Sequence, residues 1–210
     1  MTWHDIIRLH VAGSAGKSPG VIVPLKWADV PESLQLLAQR MKVVLDPDVP
    51  VEIAPAWFGA RAIAGSWGGR GSRIRLGGLL ARQLSPEALE GVLAHELAHI
   101  RCMHWELLLA GSLLAAVAGI AVGLALDLPL AFRMFFGGGI LVLGAVILSW
   151  VSEYEADGVA AGYVGYDVMT LTLQELYRSG LRARAEFTHP PDRSRIRRLI
   201  SSGTRRQQRM

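Results

Sequence analysis

Two long apolar runs lie next to each other in the middle of the chain, at residues 107–126 and 130–151. The first run contains no charged residue, and the second contains only Arg133, near its start. About 20 helical residues cross the roughly 30 Å hydrocarbon core of a bilayer. Inside the bilayer there is no water to bind backbone N–H and C=O groups, so a segment of this length is expected to form a helix, which satisfies them internally. Asp127 and Pro129 interrupt the pattern between the runs. The runs therefore predict a transmembrane helical hairpin, with a buried hairpin in a soluble core as the alternative.

The residues around the two runs predict how the hairpin lies in the bilayer. Trp105 and Trp150 are placed as interfacial aromatics on one side, and Arg133 can reach the headgroups on the other. Small residues that permit close helix contact occur on both runs: Gly111, Ala115, Ala118, Gly119, Gly123, Gly137, Gly138, Gly139 and Gly144. Arg101 and the arginines after Arg178 lie on the tryptophan side, so the positive-inside rule predicts that both termini are cytoplasmic.

Residues 95–99, which read His-Glu-Leu-Ala-His, are the second strong signal. Positions i and i+4 share one face of a helix, so His95 and His99 can bind one zinc ion with Glu96 beside them as a general base. Ser85 as N-cap and Pro86 at the first helical position predict a helix that begins before the motif. A chance pattern, with the histidines as an ordinary surface pair, is the alternative.

The predicted hairpin returns the chain to the side of the membrane that holds the two histidines. There Glu153 and Asp157 again lie at i and i+4, whereas Glu155 lies roughly opposite and is expected to face solvent. A zinc site with two histidines needs a third protein ligand, and a ligand histidine needs a partner for its far ring nitrogen. Glu153 and Asp157 fit these two roles. A charged helix start at a membrane surface is the alternative, but it does not explain the spacing.

The rest of the chain predicts small elements around these two features. They are a helix at 31–45, strands at 21–24, 51–53, 61–64 and 73–76, a loop at 65–71 and a disordered basic tail at 201–210. We expect the strand at 73–76 to pair with an extended substrate. His104 is predicted to be an interfacial histidine and not a further ligand, because its offset from His99 on a continuous helix turns it off the metal face.

Composition and charge narrow the class of partner. The net charge is +4 and 51% of residues are hydrophobic. Lysine and arginine are spread along the chain without a nucleic-acid motif, so lipid headgroups explain the charge better and no nucleic-acid partner is expected. The single cysteine, Cys102, excludes an internal disulfide. Residues 1–13 lack the apolar core of a signal peptide, so we expect the N-terminal part in the cytoplasm.

The order of these features resembles the HtpX-type and CAAX-prenyl-protease-type membrane zinc metallopeptidases. The resemblance lies in the zinc motif, two spans, the Glu-Tyr-Glu-Ala-Asp segment that starts at Glu153, and His189-Pro-Pro followed by Arg195-Ile. In these gluzincins two histidines and a glutamate bind zinc. The resemblance therefore implies that Glu153 is the third ligand and that Asp157 supports a ligand from behind. It also implies that His189 and Arg195 contact the substrate or the oxyanion.

This resemblance implies a mainly α fold with a small β-sheet (α+β), in which a zincin-like catalytic domain is interrupted by a two-helix transmembrane hairpin. The expected division is an N-terminal segment 1–30, catalytic halves 31–106 and 152–200, the hairpin 107–151 and the tail 201–210. In this sequence no comparable span precedes the zinc motif, whereas HtpX-type enzymes have two. The resemblance therefore implies a minimal version and does not specify a farnesylated substrate.

The expected activity is that of a membrane-anchored zinc endopeptidase of the inner or plasma membrane. One Zn²⁺ ion per chain would be bound by His95, His99 and Glu153, and the substrate would be a membrane or unfolded polypeptide in quality control or processing. The catalytic residues would be Glu96, His189 and Arg195. A catalytically silent zincin-fold scaffold is one alternative, and a membrane protein without metal is another. Glu96 favours the enzyme, because a purely structural zinc site needs no base.

Overall fold

The computed structural model describes residues 23–54, 60–63, 73–77, 80, 83–180 and 189–208. Four strands form one sheet in the order β1-β2-β4-β3, with β1 Val23–Lys26, β2 Pro50–Ala54, β3 Ala60–Ile63 and β4 Arg73–Gly77. β2 and β4 run parallel, whereas β1 pairs antiparallel with β2 and β3 pairs antiparallel with β4. The strands predicted at 51–53 and 73–76 are confirmed, and β3 confirms residues 61–63 of the strand predicted at 61–64, whose last residue lies outside the described residues. The pattern at 21–24 overlaps β1, and the loop at 65–71 lies outside the described residues.

Six helices are described: α1 Glu32–Arg40, α2 Pro86–Arg101, α3 His104–Ala125, α4 Leu130–Val164, α5 Tyr166–Ser179 and α6 Asp192–Gln207. The central one is α2, which packs against α4, α5, β3 and α1. It begins as predicted, because Ser85 Oγ accepts a hydrogen bond from the Ala88 N–H at 3.2 Å. A Cβ on Gly91 would lie 2.0 Å from Thr172 Oγ1 on α5, so glycine is required where these two helices meet.

Substrate pairing with residues 73–76 is contradicted by the sheet order. β4 lies between β2 and β3, so both of its backbone edges are already hydrogen-bonded. A strand in this position has no free ladder for a further chain. Among the described strands, β1 and β3 form the two edges, and β3 is the edge that contacts α2.

Two predicted boundaries are wrong, the first for a local reason and the second because of tertiary contacts. The helix predicted at 31–45 ends at Arg40, because the chain turns through Lys42 with a φ of 55°. The tail predicted to be disordered from residue 201 is helical as far as Gln207. Leu199 on this helix is buried in the core, and Gly203 packs against Tyr166, so tertiary contacts extend α6 into the tail.

The two apolar runs form the antiparallel helices α3 and α4, as predicted. Both are long and apolar enough to cross a membrane, and their apolar windows are only 11% and 6% buried. A core helix of a soluble protein would be mostly buried, so this exposure indicates a membrane protein with two candidate spans. The second helix continues without a break beyond its apolar part, which ends at residue 151, to Val164. One rigid helix therefore joins the second candidate span to Glu153 and Asp157.

Glycines set the closest approach within the hairpin. A Cβ on Gly119 would lie 2.8 Å from the Gly137 Cα, so position 119 has no room for a side chain, and a Cβ on Gly137 would be tight at 3.1 Å from Ile120 Cγ1. Gly138 and Gly139 have no neighbour within 4 Å of such an added carbon and face away from the contact. At the far end of the hairpin, Arg133 donates a hydrogen bond to the Leu128 carbonyl in the turn between the two helices.

Candidate metal centre

The three predicted ligands meet where α2 packs against α4. His95 Nε2 and His99 Nε2 on α2 are 3.0 Å apart. Glu153 Oε2 on α4 lies 3.5 Å from His95 Nε2, and its Oε1 lies 3.4 Å from His99 Nε2. One potential ligand atom from each residue lies within 4.8 Å of the other two. The two histidines thus lie on one face of α2, as their i and i+4 spacing predicts, and the hairpin brings Glu153 next to them.

These separations fit a tetrahedral zinc site. Donors about 2.0–2.1 Å from a tetrahedral ion are about 3.3–3.4 Å from one another. The two histidine nitrogens are 3.0 Å apart, and each lies 3.4–3.5 Å from a different oxygen of Glu153, so either oxygen can serve as the third donor after a small adjustment. Two imidazoles and a carboxylate are also a donor set that catalytic zinc sites use, with one coordination position left for water. The residues present therefore fit a zinc ion.

A buried network holds the ligands from behind. Asp157 Oδ1 lies 3.0 Å from His95 Nδ1, the ring nitrogen that faces away from the ligand cluster. Arg195 on α6 binds Asp157 through Nε to Oδ2 at 2.6 Å and through Nη2 to Oδ1 at 2.5 Å. Its remaining nitrogen, Nη1, is 2.9 Å from Glu153 Oε2. Such forked contacts to carboxylates are strong and fix orientation as well as charge.

Arg195 occupies a different position from the one that the family resemblance implies. Its side chain is 0% exposed, and its nitrogens face Asp157 and Glu153. A guanidinium in this position supports the two carboxylates and has no free path to a substrate. Asp157, in contrast, lies against the far nitrogen of a ligand histidine, which is the position predicted for it.

The pKa values of the buried groups show that the cluster favours a positive charge. Burial disfavours a charged imidazole, but Glu153 and Asp157 together raise the pKa of His95 to about 9. Burial also works against the charged form of Asp157, but Arg195 and His95 lower its pKa to about 2. Burial opposes ionisation of Glu153 too, and His95, His99 and Arg195 outweigh it and hold the pKa of that carboxyl well below its usual range. The cluster thus attracts a positive charge, which a bound metal ion supplies in place of the His95 proton.

Two predicted catalytic residues, Glu96 and His189, lie next to residues of the cluster. Glu96 is buried on α2 and directly follows the predicted ligand His95 in sequence. His189 lies just before α6, with Nε2 at 3.4 Å from Glu153 Oε1 and a side chain that is 39% exposed. This histidine is the group beside the ligands that remains accessible from outside, as contact with a substrate requires.

His104 is not one of the three residues whose ligand atoms converge, but its ring lies closer to them than the helical-offset argument indicates. That argument assumed a continuous helix, whereas α2 ends at Arg101 and Met103 adopts the left-handed region with a φ of 52°. The break turns the buried His104 ring towards the cluster, so that its Nδ1 lies 2.8 Å from His99 Nδ1. On its other side, His104 Nε2 is 3.4 Å from Glu155 Oε2. Cys102 and Met103 are not typical helix-ending residues such as glycine or proline, so the sequence gives no sign of the break that creates this contact.

Comparisons with known proteins agree with this geometry. The fold is similar to that in the crystal structure of S. mikatae Ste24p, with a TM-score of 0.60 and 16% sequence identity. The match covers 92% of this chain and 56% of that one, so this chain spans little more than half of that protein's length. No curated protein matches the sequence significantly. Residues 33–202, most of the chain and all of the metal centre, match the model of peptidase family M48, and the chain therefore belongs to peptidase family M48.

Proposed function

We propose that this protein is a membrane-anchored zinc endopeptidase. The observation that carries the proposal is the convergence of His95, His99 and Glu153, whose ligand atoms lie within 4.8 Å of one another, in front of a buried Asp157–Arg195 ion pair. A structural zinc site is normally closed by four protein ligands, whereas three ligands and an adjacent acid are typical of hydrolytic sites. Membership of a peptidase family supports the same reading, and no observation favours the catalytically silent scaffold.

The mechanism divides the chemistry between a bound ion and the residues around it. Zinc in such a site lowers the pKa of its water to about 7 and polarises the substrate carbonyl. Glu96 accepts the proton of the attacking water and later delivers it to the leaving amine. His189 donates a hydrogen bond to the oxygen on which negative charge develops, a contribution of about 3–4 kcal/mol in comparable sites. Arg195 takes the role of a positioning residue and keeps Glu153 and Asp157 in place.

The position of the centre favours substrates at the membrane. Glu153 follows the end of the apolar run at residue 151 by only two residues. At 1.5 Å per residue this is about 3 Å along the helix axis, so the centre would lie next to the bilayer surface. An extended polypeptide segment emerging from the membrane, or an unfolded chain near it, can reach the outer edge of β3 beside α2. We therefore propose membrane or unfolded proteins as substrates, in processing or quality control.

The proposed orientation places the metal centre and both ends of the chain in the cytoplasm, because the arginines concentrate on that side of the hairpin. Reporter fusions at residue 128 and after residue 208 should give opposite signals, with the second one cytoplasmic. Equal signals at the two positions would contradict a two-span hairpin.

Replacing the proposed base tests the activity directly. Glu96→Gln removes the proton acceptor but no ligand, so cleavage of an unfolded reporter protein should fall at least about 100-fold, the lower range for general acid–base catalysis. Zinc content per chain should stay near one ion. Glu153→Gln is the matched control, because the same chemical change at a ligand should remove zinc as well as activity. If Glu96→Gln cleaves the reporter at the wild-type rate, the proposed peptidase mechanism is wrong and the scaffold hypothesis replaces it.

A further inference from the structure

A second cluster of metal-binding side chains lies at the turn between α2 and α3. Cys102 Sγ, a ring nitrogen of His104 and a carboxylate oxygen of Glu155 lie within 4.8 Å of one another. In the described part of the chain, this cluster and the His95 cluster are the two that bring three such atoms together. Peptide hydrolysis as proposed above uses none of the three residues.

The local backbone explains how these side chains meet. Cys102 caps the end of α2 and His104 begins α3, with the left-handed Met103 between them. This tight turn brings two residues that are only two positions apart next to α4, which supplies Glu155. The arrangement therefore depends on three successive helices and is not a feature of one flexible segment.

The chemistry and exposure of the cluster suit a borderline divalent cation. Thiolate, imidazole and carboxylate together favour Zn²⁺, Co²⁺ or Cd²⁺, whereas Mg²⁺ and Ca²⁺ prefer oxygen donors alone. The Glu155 side chain is 53% exposed and Cys102 is half-buried, so an ion can enter from solvent. Burial and the nearby Glu155 raise the pKa of the Cys102 thiol, so an ion must displace a proton to bind there.

We propose that Cys102, His104 and Glu155 form a second, weaker divalent-cation site, and that an ion there weakens the binding of zinc to the first site. The second half of this proposal rests on the proposed zinc site. The link between the sites is the 2.8 Å contact of His99 Nδ1 with His104 Nδ1. When Nε2 of a neutral imidazole binds metal, its one proton lies on Nδ1.

The hydrogen bond between these two Nδ1 atoms can form when one of the two rings binds a metal ion, but not when both do. With an ion on His99 alone, His99 Nδ1–H donates to His104 Nδ1, and the His104 proton lies on Nε2, towards Glu155. With ions on both rings, two N–H groups face each other across 2.8 Å and the hydrogen bond is lost. Because coupling between binding sites is reciprocal, each ion lowers the affinity of the other.

Cobalt titration of the purified full-length chain in detergent tests the site. Co²⁺ bound by a thiolate gives an intense near-ultraviolet charge-transfer band, which nitrogen and oxygen ligands alone do not give. The second equivalent of Co²⁺ should produce this band, and both Cys102→Ser and Glu155→Gln should reduce or abolish it. Asp48→Asn, a change of an exposed acid in the ion pair with Lys26, is the control and should leave it intact. Saturation at one ion per chain without the band overturns the proposal.

Two further measurements separate this site from the first one. The double variant His95→Ala/His99→Ala should lose the first ion and still bind one Co²⁺ with the thiolate band, so a failure of either site is seen by itself. With its first site loaded with Zn²⁺, the wild-type chain should bind Co²⁺ at the second site at least about fivefold more weakly than Glu153→Gln, which keeps His99 but should lose the first ion; fivefold is the lower end of typical coupling. Equal Co²⁺ affinities of the two proteins refute the coupling between the sites.

Discussion

The two ligand histidines of α2 are held at their far ring nitrogens by chemically different partners. His95 Nδ1 faces Asp157, a carboxylate fixed by the fully buried Arg195. His99 Nδ1 faces His104, whose other nitrogen lies near the half-exposed Glu155. One histidine therefore belongs to a charged, closed network, and the other to a chain of hydrogen bonds that reaches solvent.

Because of this difference, the partners of His95 are expected to be rigid, whereas the partner of His99 can adjust. A forked guanidinium–carboxylate contact in a buried environment holds one geometry, and removing either partner leaves an uncompensated charge. A neutral imidazole can accept or donate, and solvent can replace its outer partner at little cost. We infer that the His95 side sets the geometry of the centre and that the His99 side can respond to a second ion. The predictions below follow from this asymmetry, in order of decreasing effect.

The largest effect should come from removing the cation of the buried network. Arg195→Met removes the buried guanidinium that pairs with both Asp157 and Glu153, which should cost about 3–5 kcal/mol in the free energy of unfolding. The measurement is chemical unfolding in detergent. Arg197→Met, at an exposed position of the same helix, should stay within about 0.5 kcal/mol of the wild type. A similar small loss for Arg195→Met would show that the network does not hold the centre.

Asp157→Asn should have the next largest effect, because it keeps the shape but weakens the partner of His95. Zinc affinity, measured by competition with a chelator, should fall about 10–100-fold, the usual range for a residue that orients a metal ligand. Cleavage at saturating zinc should fall less than it does in Glu96→Gln. Unchanged zinc affinity would assign Asp157 to stability alone.

The pH dependence of stability and of zinc affinity should report on His95 and its carboxylate partners. The pKa of His95 is raised from 6.5 to about 9, so in chelator-treated protein its contribution to stability is full below pH 6.5 and is lost as the pH rises through 9. The same proton competes with metal, so zinc affinity should rise across this window by up to about tenfold per pH unit. Titrations at several pH values measure both, and Asp157→Asn should narrow the window. A zinc affinity independent of pH would contradict the pKa assigned to His95.

Replacing His104 should have the smallest effect. His104→Phe fills similar space but cannot accept from His99 Nδ1–H, so zinc affinity should fall by less than about 10-fold, below the effect of Asp157→Asn. His104→Gln retains an acceptor and should restore part of the loss. An effect of His104→Phe larger than that of Asp157→Asn would reverse the asymmetry between the two histidines.

Much of this centre was predictable because it depends on local periodicity. The i and i+4 spacing within a helix places two side chains on one face, which identified His95 with His99 and Glu153 with Asp157. The length and apolarity of residues 107–126 and 130–151 determined the hairpin that joins the two pairs. Both rules require no knowledge of distant contacts, and the structure agrees with them.

The errors arose where a residue's position depends on contacts distant in sequence. β4 was predicted to bind substrate because its alternation marks a strand, but alternation does not tell which strand lies at the edge. Helix α6 extends past residue 201 since Leu199 and Gly203 pack on the core. His104 is a local exception, because the single left-handed residue Met103 before it redirects the chain.

The sequence by itself thus determined the hairpin, the pairs His95/His99 and Glu153/Asp157 and the helix that carries the two histidines, because each follows from the spacing of neighbouring residues. Only the tertiary structure decided that Arg195 lies behind the carboxylates instead of beside the substrate. It also decided that His104 faces His99 and that Cys102 and Glu155 come together with it. The physical reason is that burial and ion pairing are set by packing between α2, α4 and α6, whose relative placement the local pattern does not encode.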